Sequence, residues 1–313
     1  MTKKGILIVN LGTPESPTTT HVREYLKIFL SDPRVIKTPA AIWKPILNGI
    51  ILRTRPKKSA KLYESIWRKE GSPLLIYAKQ QQAYLQELLP DTKVALAMSY
   101  SHPFIPEAID QLLAEGIDDL TILPLYPQYS GTTVGSVFDD VMKYFVKSDK
   151  IVNLHFVRSF YDHPLYIQYF ADKIKNQLEK QSVDALLFSY HGIPVSYVSD
   201  GDNYPSECTR TTELIMQQIG EVPFYQTYQS KFGPAEWLTP ATDATLTNFP
   251  KKGIKKVLVI APGFVADCLE TIEELEEENK GYFMENGGEA FYYLPPFNDD
   301  PTLAEILKQL ATN

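Results

Sequence analysis

The side chains that could do chemistry gather in two short stretches. Ala261 to Asn279 (APGFVADCLETIEELEEEN) runs from an apolar strand end through Pro262 and Gly263 into a segment crowded with carboxylates. At about 100° per residue, an α-helix here sets Asp267, Glu270, Glu274 and Glu278 along one face and Cys268, Leu269, Ile272 and Leu275 on another. Like charges four apart on a helix cost roughly 0.2–0.5 kcal/mol each, so this face calls for a cation or for water. Most charged faces are simply solvated. The second stretch is Ser189-Tyr190-His191-Gly192-Ile193-Pro194, where a strand gives way to a glycine turn and the ring of His191 can project from its end. A histidine there is often only a satisfied core residue. Set opposite Glu270, it becomes an acceptable borderline site for a divalent first-row metal such as Fe²⁺. An unperturbed pKa of about 6.5 also makes His191 a competent proton acceptor. His102 and His163 precede prolines and carry little functional weight; His21 and His155 carry none.

These residues need strand ends to hold them. Ile6–Asn10 is a short apolar run bounded by Gly12 and Pro14, and Thr18–Thr20 caps a helix in which Val22, Tyr25, Leu26 and Phe29 recur at helical spacing. Further strands are expected at 94–99, 120–123 and 152–157, then at 185–190, 224–228, 257–260 and 290–294. Helices are expected near 74–89, 106–114, 164–180, 208–219, 267–282 and 302–310. This alternation predicts an α/β protein of two similar Rossmann-like domains, each with a four-stranded parallel sheet flanked by helices. The boundary falls near Phe160, giving domains 1–160 and 161–313, and the last helix could pack back on the first. ILIVNLGTP (6–14) and LLFSYHGIP (186–194) share an apolar run followed by Gly and Pro, a weak internal repeat that sets Leu11 in register with His191. In open α/β sheets ligands bind beyond the carboxyl ends of the strands, where His191 and the turn before Glu270 both lie.

Residues 40–61 (AAIWKPILNGIILRTRPKKSAK) are apolar at Ile42, Trp43, Ile46, Leu47, Ile50, Ile51 and Leu52 and basic from Arg53 onward. This is either a core helix with a solvated basic end or an apolar lip that meets a membrane surface or a flat hydrophobic ligand.

With 313 residues, 44% hydrophobic and 22% charged, the chain suits one large domain or two smaller ones. A net charge of −7 argues against nucleic acid. Cys208 and Cys268, the only cysteines, cannot build a disulfide scaffold or a four-thiolate metal site, which favours the reducing cytoplasm. No stretch reads as a signal peptide or a membrane span. Neither GxGxxG nor GxxxxGK[ST] nor GxSxG is present, which disfavours a nucleotide site and a serine nucleophile.

The motifs GILIVNLGTP (5–14), YLKIFLSDPRVI (25–36), GSPL (71–74), SYSHP (99–103), LPLYPQYS (123–130), SYHGIP (189–194), DNYPSEC (202–208), YQSKFGPAEWLTP (228–240) and APGFVADCLETIEE (261–274) span nearly the whole chain. Together they resemble the ferrochelatase family, nearer its Gram-negative bacterial forms than the animal ones. The resemblance implies insertion of Fe²⁺ into protoporphyrin IX to give protohaem, the terminal step of haem synthesis, on a chelatase fold. It implies that His191 and Glu270 act as metal ligands and proton acceptors. Asp267 would support His191 or the proton path, and Glu274 and Glu278 would extend an acidic conduit. Leu11, Ile42, Tyr126, Trp237 and Phe264 become candidates for the apolar walls, and Arg53 or Arg55 for the propionates. Animal members carry an iron–sulfur cluster with a cysteine directly after the YPQYS motif; Gly131 stands there in this chain, so no prosthetic group is expected. Ser99 stands where some members have an arginine, and no propionate contact is assigned to it. The expected protein is a cytoplasmic monomer, with possible peripheral contact to the inner membrane through the lip. Rival readings are a chelatase for coproporphyrin or another tetrapyrrole, with Fe²⁺, Co²⁺ or Ni²⁺, and a non-catalytic porphyrin or haem carrier.

Overall fold

A computed structural model describes residues 2–312, which fold as two compact units. The first runs from the N-terminus to Ser159 and is rejoined by the chain from Asp299 onward; the second is Phe160–Asn298.

The first unit contains β1 (Lys4–Asn10), α1 (Thr19–Phe29), α2 (Ala40–Ile46), a π-helical turn (Leu47–Ile51), α3 (Leu52–Ile66), α4 (Pro73–Leu88), β2 (Lys93–Met98), α5 (Ile105–Ala114), β3 (Asp119–Pro124), α6 (Val134–Lys147) and β4 (Asn153–Phe156). Its strands pair in parallel in the order β2-β1-β3-β4. Helices cover both faces of such a sheet, which is why Leu7, Ile8 and Val9 form an unbroken apolar run and are all fully buried. Leu7, Val9, Ile109, Ile122, Val137 and Val141 meet in one core. Thr18 caps α1, its Oγ1 accepting from the His21 N–H. In the lip, Ile42 and Ile50 are each 58% exposed, while Leu47 is buried. The Trp43 indole N–H donates to the Leu30 carbonyl at 2.6 Å and ties the lip to the end of α1.

The second unit contains α7 (Pro164–Lys180), β5 (Ala185–His191), α8 (Val195–Ser199), α9 (Tyr204–Ile219), β6 (Phe224–Gln229), α10 (Thr242–Asn248), β7 (Lys256–Ile260), a π-helix (Glu270–Asn279), α11 (Lys280–Glu285) and β8 (Ala290–Leu294). Its parallel sheet has the order β6-β5-β7-β8. Leu187, Val257, Val259, Leu275 and Phe283 share its core. The last helix, α12 (Thr302–Thr312), packs on α4 and belongs to the first unit, so the second unit ends at Asn298 and not at the chain terminus. Among the described residues no helix is long and apolar enough to cross a membrane.

The carboxylate segment is not the α-helix expected from its apolar spacing. From Glu270 to Asn279 it is π-helical, closing hydrogen bonds one residue wider than an α-helix. Within it Thr271, Leu275 and Asn279 are buried and Ile272 is half-buried; just ahead of it Cys268 is buried and Leu269 half-buried, so the expected apolar face turns inward together with two polar residues. A stride of four drifts by about 40° per step on an α-helix. Glu270, Glu274 and Glu278 keep a stride of four beside the buried residues Thr271, Leu275 and Asn279.

Candidate functional site

His191 is the last residue of β5 and lies opposite Gln229, the last residue of β6. The Gly192 N–H donates to the Gln229 carbonyl at 2.8 Å. Only glycine fits at 192 without movement, because a Cβ would stand 3.0 Å from the Gln229 oxygen and 3.1 Å from the Trp237 ring. The Gly192 carbonyl lies 2.7 Å from His191 Nδ1. A carbonyl can only accept, so Nδ1 carries the proton and the neutral ring offers its Nε2 lone pair to a proton or a metal.

Glu270 opens the π-helix, and its carbonyl accepts from Gln229 Nε2 at 2.8 Å. One turn on, Glu274 is clamped. Its Oε1 accepts the Ser230 N–H at 2.7 Å, and its Oε2 accepts the Ser230 hydroxyl and, at 3.1 Å, Gln229 Nε2. Ser230 has a left-handed backbone, φ 65°, and it is this turn that lets both of its donors face one carboxylate. Burial pushes the Glu274 pKa up; the Ser230 donor and the field of His191 pull against that, and the charge of Glu270 adds to it. Glu274 therefore feels both His191 and Glu270, and the three share one neighbourhood in the second unit.

The other predicted residues are placed differently. Asp267 is buried in a neutral network of its own: Oδ1 accepts from Thr271 Oγ1 at 2.8 Å and from the Tyr293 hydroxyl at 3.0 Å, and Oδ2 accepts from Asn298 Nδ2 at 2.7 Å. These bonds pin the loop ahead of the π-helix. Glu278 is exposed and accepts from the Tyr282 hydroxyl at 2.9 Å. Among the described residues, no three His, Cys, Asp or Glu side chains are arranged to hold a metal ion. Of the four candidates His191, Glu270, Glu274 and Glu278, the oxygens of Glu274 are bonded by Ser230 and Gln229, and Glu278 turns to solvent. Trp237 packs over Gly192 with its indole N–H buried and unpartnered, and Phe264 packs on the core of its unit. In the first unit, Leu11 follows β1 half-buried, and Tyr126 follows β3 with its phenol pKa pushed up by burial. Arg53 is exposed on α3; Arg55 is half-buried, and burial lowers its guanidinium pKa. His21, His102 and His155 lie within ion-pair distance of Glu15, Glu107 and Asp119 in the first unit.

Gln229 and Ser230 are the contributions that residue types alone missed. Their motif, YQSKFGP, was visible, but an amide and a hydroxyl have no distinctive spacing relative to a helix forty residues away.

Two doubly wound parallel units, with a histidine at one strand end facing a carboxylate helix, define a chelatase-like α/β protein. Solved structures agree on the fold. SirB from Bacillus subtilis with Fe³⁺ aligns with a TM-score of 0.58 at 10% identity, over 99% of this chain and 96% of that one. CbiX, described as the terminal enzyme for biosynthesis of sirohaem in denitrifying bacteria, aligns with a TM-score of 0.53 at 14% identity, over 98% and 99%. The sequence places the chain more narrowly: residues 3–313 match the ferrochelatase family, and the chain belongs to it. It is 60% identical over 312 residues to the coproporphyrin III ferrochelatase of Enterococcus faecalis, covering 100% of both chains. It is 48% identical to a ferrochelatase of Hamiltonella defensa over 99% of this chain and 98% of that one, and 46% identical to that of Vibrio cholerae over 99% and 97%. The protein is a metal-inserting enzyme of porphyrin biosynthesis.

Proposed function

We propose that this enzyme inserts Fe²⁺ into coproporphyrin III. The observation that carries this reading is the 60% identity, end to end, to a coproporphyrin III ferrochelatase, against 45–48% for relatives named only as ferrochelatases. Coproporphyrin carries propionates where protoporphyrin carries vinyl groups. The exposed cations Arg53, Lys57, Lys58 and Lys61, with half-buried Arg55 beside them, suit such a carboxylate rim. Protoporphyrin IX is the second reading; the exposed apolar side chains of Ile42 and Ile50 favour it. The same apolar surface beside Lys44 and Lys57 supports peripheral contact of a cytoplasmic protein with an anionic membrane.

In this reading His191 Nε2 takes a pyrrole proton, because its other nitrogen is committed to Gly192. Glu270 holds the incoming cation, and Glu274, whose raised pKa disposes it to accept a proton, passes charge along the π-helix. Glu278 stands at the exposed end of that path, and Asp267 braces its start. Leu11, Tyr126, Trp237 and Phe264 supply apolar surface. A flat macrocycle hides its N–H protons, so a pocket that bends it draws the strain from binding of the periphery. Iron is substrate throughout, and the two buried thiols are too few to hold a cluster.

The test is kcat/KM for Fe²⁺ insertion under anaerobic conditions with each porphyrin. The expected result is a preference for coproporphyrin III of about tenfold or more, which corresponds to about 1.4 kcal/mol. A preference of that size for protoporphyrin IX would reverse the assignment.

A further inference from the structure

His191 ends a strand, whereas Glu270 and Glu274 stand on the π-helix, and one residue bonds to both sides, through its main chain on one and its side chain on the other. Gln229 is 3% exposed. Its carbonyl receives the Gly192 N–H at 2.8 Å, and the Gly192 carbonyl holds His191 Nδ1 at 2.7 Å. Its amide nitrogen donates to the Glu270 carbonyl at 2.8 Å and to Glu274 Oε2 at 3.1 Å.

The orientation of that amide follows from its neighbours. A main-chain carbonyl cannot donate, so the NH₂ end must face Glu270. On the other side Oε1 accepts the Ser189 hydroxyl at 2.8 Å, which opposes a flip. Behind it Thr242 Oγ1 lies 2.9 Å from Ser189 Oγ and donates to Thr227 at 2.9 Å, and Thr227 donates to the Phe188 carbonyl at 3.3 Å, so the proton of Ser189 is the one left for Gln229. All three hydroxyl residues are buried, at 0%, 1% and 0% exposure for Ser189, Thr242 and Thr227. A chain of polar groups with no solvent is costly unless every member is paired, and this one ends on the side-chain amide that holds the π-helix.

We propose that Gln229 is a positioning residue: it fixes Glu270 and Glu274 relative to His191 for metal insertion, and the Ser189–Thr242–Thr227 hydroxyl chain locks its amide. The inference rests on the roles given above to His191 and Glu270. It adds that their mutual geometry is set by a neutral residue, through its main-chain carbonyl on the His191 side and its side-chain amide on the carboxylate side.

The test compares Gln229→Leu, Gln229→Glu, Ser189→Ala and the Gln229→Leu/Ser189→Ala double variant with the wild type. Melting temperature, porphyrin affinity by fluorescence quenching, and kcat and metal KM for Zn²⁺ insertion are measured on both coproporphyrin III and protoporphyrin IX. The expected result for Gln229→Leu is a kcat lower by about 10–100-fold, the usual loss on removing an outer partner of a ligand, with porphyrin affinity held within roughly twofold. Gln229→Glu keeps the shape but sets an acceptor against the Glu270 carbonyl, and falls at least as far. Ser189→Ala, a small truncation, falls less and in the same direction. The double variant matches Gln229→Leu within roughly twofold, because the hydroxyl acts only through the amide.

A folded Gln229→Leu with wild-type kcat overturns the proposal, as does a double variant whose losses multiply. If Gln229→Leu fails to fold, Ser189→Ala decides: wild-type kcat there also overturns it. A wrong choice of porphyrin shows as low wild-type turnover on one substrate, while the variant-to-wild-type ratio on the other still reports on Gln229.

Discussion

Adding one methyl group at Gly192 should disturb the turn that holds His191. The new Cβ would lie 3.0 Å from the Gln229 oxygen and 3.1 Å from Trp237 Cε3, each a few tenths of an ångström inside ordinary contact. The Gln229 oxygen cannot retreat easily, because it ends a paired strand and accepts the Gly192 N–H at 2.8 Å. The Trp237 ring can yield. Overpacking a tight site costs about 1–3 kcal/mol, and with one of two walls a movable side chain the lower end applies, about 1 kcal/mol. That corresponds to a fall of roughly 2–4 °C in melting temperature. Activity should suffer more than stability. The Gly192 carbonyl sets the His191 ring, and a displacement of about 1 Å at a reacting group costs on the order of 100-fold, so a few tenths should cost about tenfold in kcat. Thermal melting and Zn²⁺ insertion into porphyrin measure the two effects on one preparation. A Gly192→Ala enzyme with wild-type kcat, whether or not its melting temperature falls, would refute the claim that this turn positions the histidine.

Two further outcomes follow from the electrostatics. Arg34 holds Asp139 with paired bonds, Nε to Oδ2 at 2.7 Å and the second to Oδ1 at 2.8 Å, and this contact keeps the Asp139 pKa below its usual value. A depressed carboxylate stabilises the fold above its unfolded pKa of about 3.9 and loses that contribution as pH falls through the depressed value. Because both groups are about one-third exposed, the contribution is only about 0.5–1 kcal/mol. Asp139→Asn should therefore melt about 1–4 °C lower than wild type at pH 7. The gap should close in strong acid, and a gap that persisted there would rule out the ion pair as its cause. Burial also pushes both thiols well above their ordinary pKa, at Cys268 with the charge of Glu270 adding to it. Iodoacetamide should label neither Cys208 nor Cys268 at neutral pH until the protein is unfolded; labelling of the native enzyme at a rate typical of free thiols would contradict that burial.

The sheets were easy to read because each strand is a short apolar run with Gly, Pro or a polar turn beyond it. All eight appear within a residue or two of their expected bounds, as with Lys93–Met98 for 94–99 and Asn153–Phe156 for 152–157. Helix α6 was passed over although Val134, Val137 and Val141 mark its buried face, because the loop before it lacks a strong start signal. The π-helix was missed for a clearer reason. The apolar residues Cys268, Leu269, Ile272 and Leu275 fit an α-helical stripe, but two of the three residues the segment buries, Thr271 and Asn279, are polar and hydrogen-bonded. Thr271 Oγ1 donates to Asp267, and Asn279 Nδ2 donates to the Glu274 carbonyl. Hydrophobic periodicity is blind to buried polar groups.

The site divides in the same way. His191 and Glu270 stood out as candidates because their residue types suit acid–base and metal chemistry at a strand end and a helix start. The partners that orient them were not. Gln229, Ser230 and Ser189 act through hydrogen bonds made possible by strand register and by one left-handed residue, neither of which leaves a mark in composition or spacing. The partners of Asp267 were hidden for a related reason: its carboxylate accepts from Thr271, Tyr293 and Asn298, which lie up to 31 residues away.

The most direct test of the account is anaerobic metal insertion by His191→Ala, followed through the porphyrin absorption spectrum over many turnovers beside the wild type. The account predicts a folded variant that still binds porphyrin and forms no metalloporphyrin above the uncatalysed rate. Turnover at the wild-type rate would remove His191, and with it the proposed arrangement of base and carboxylates, from the mechanism.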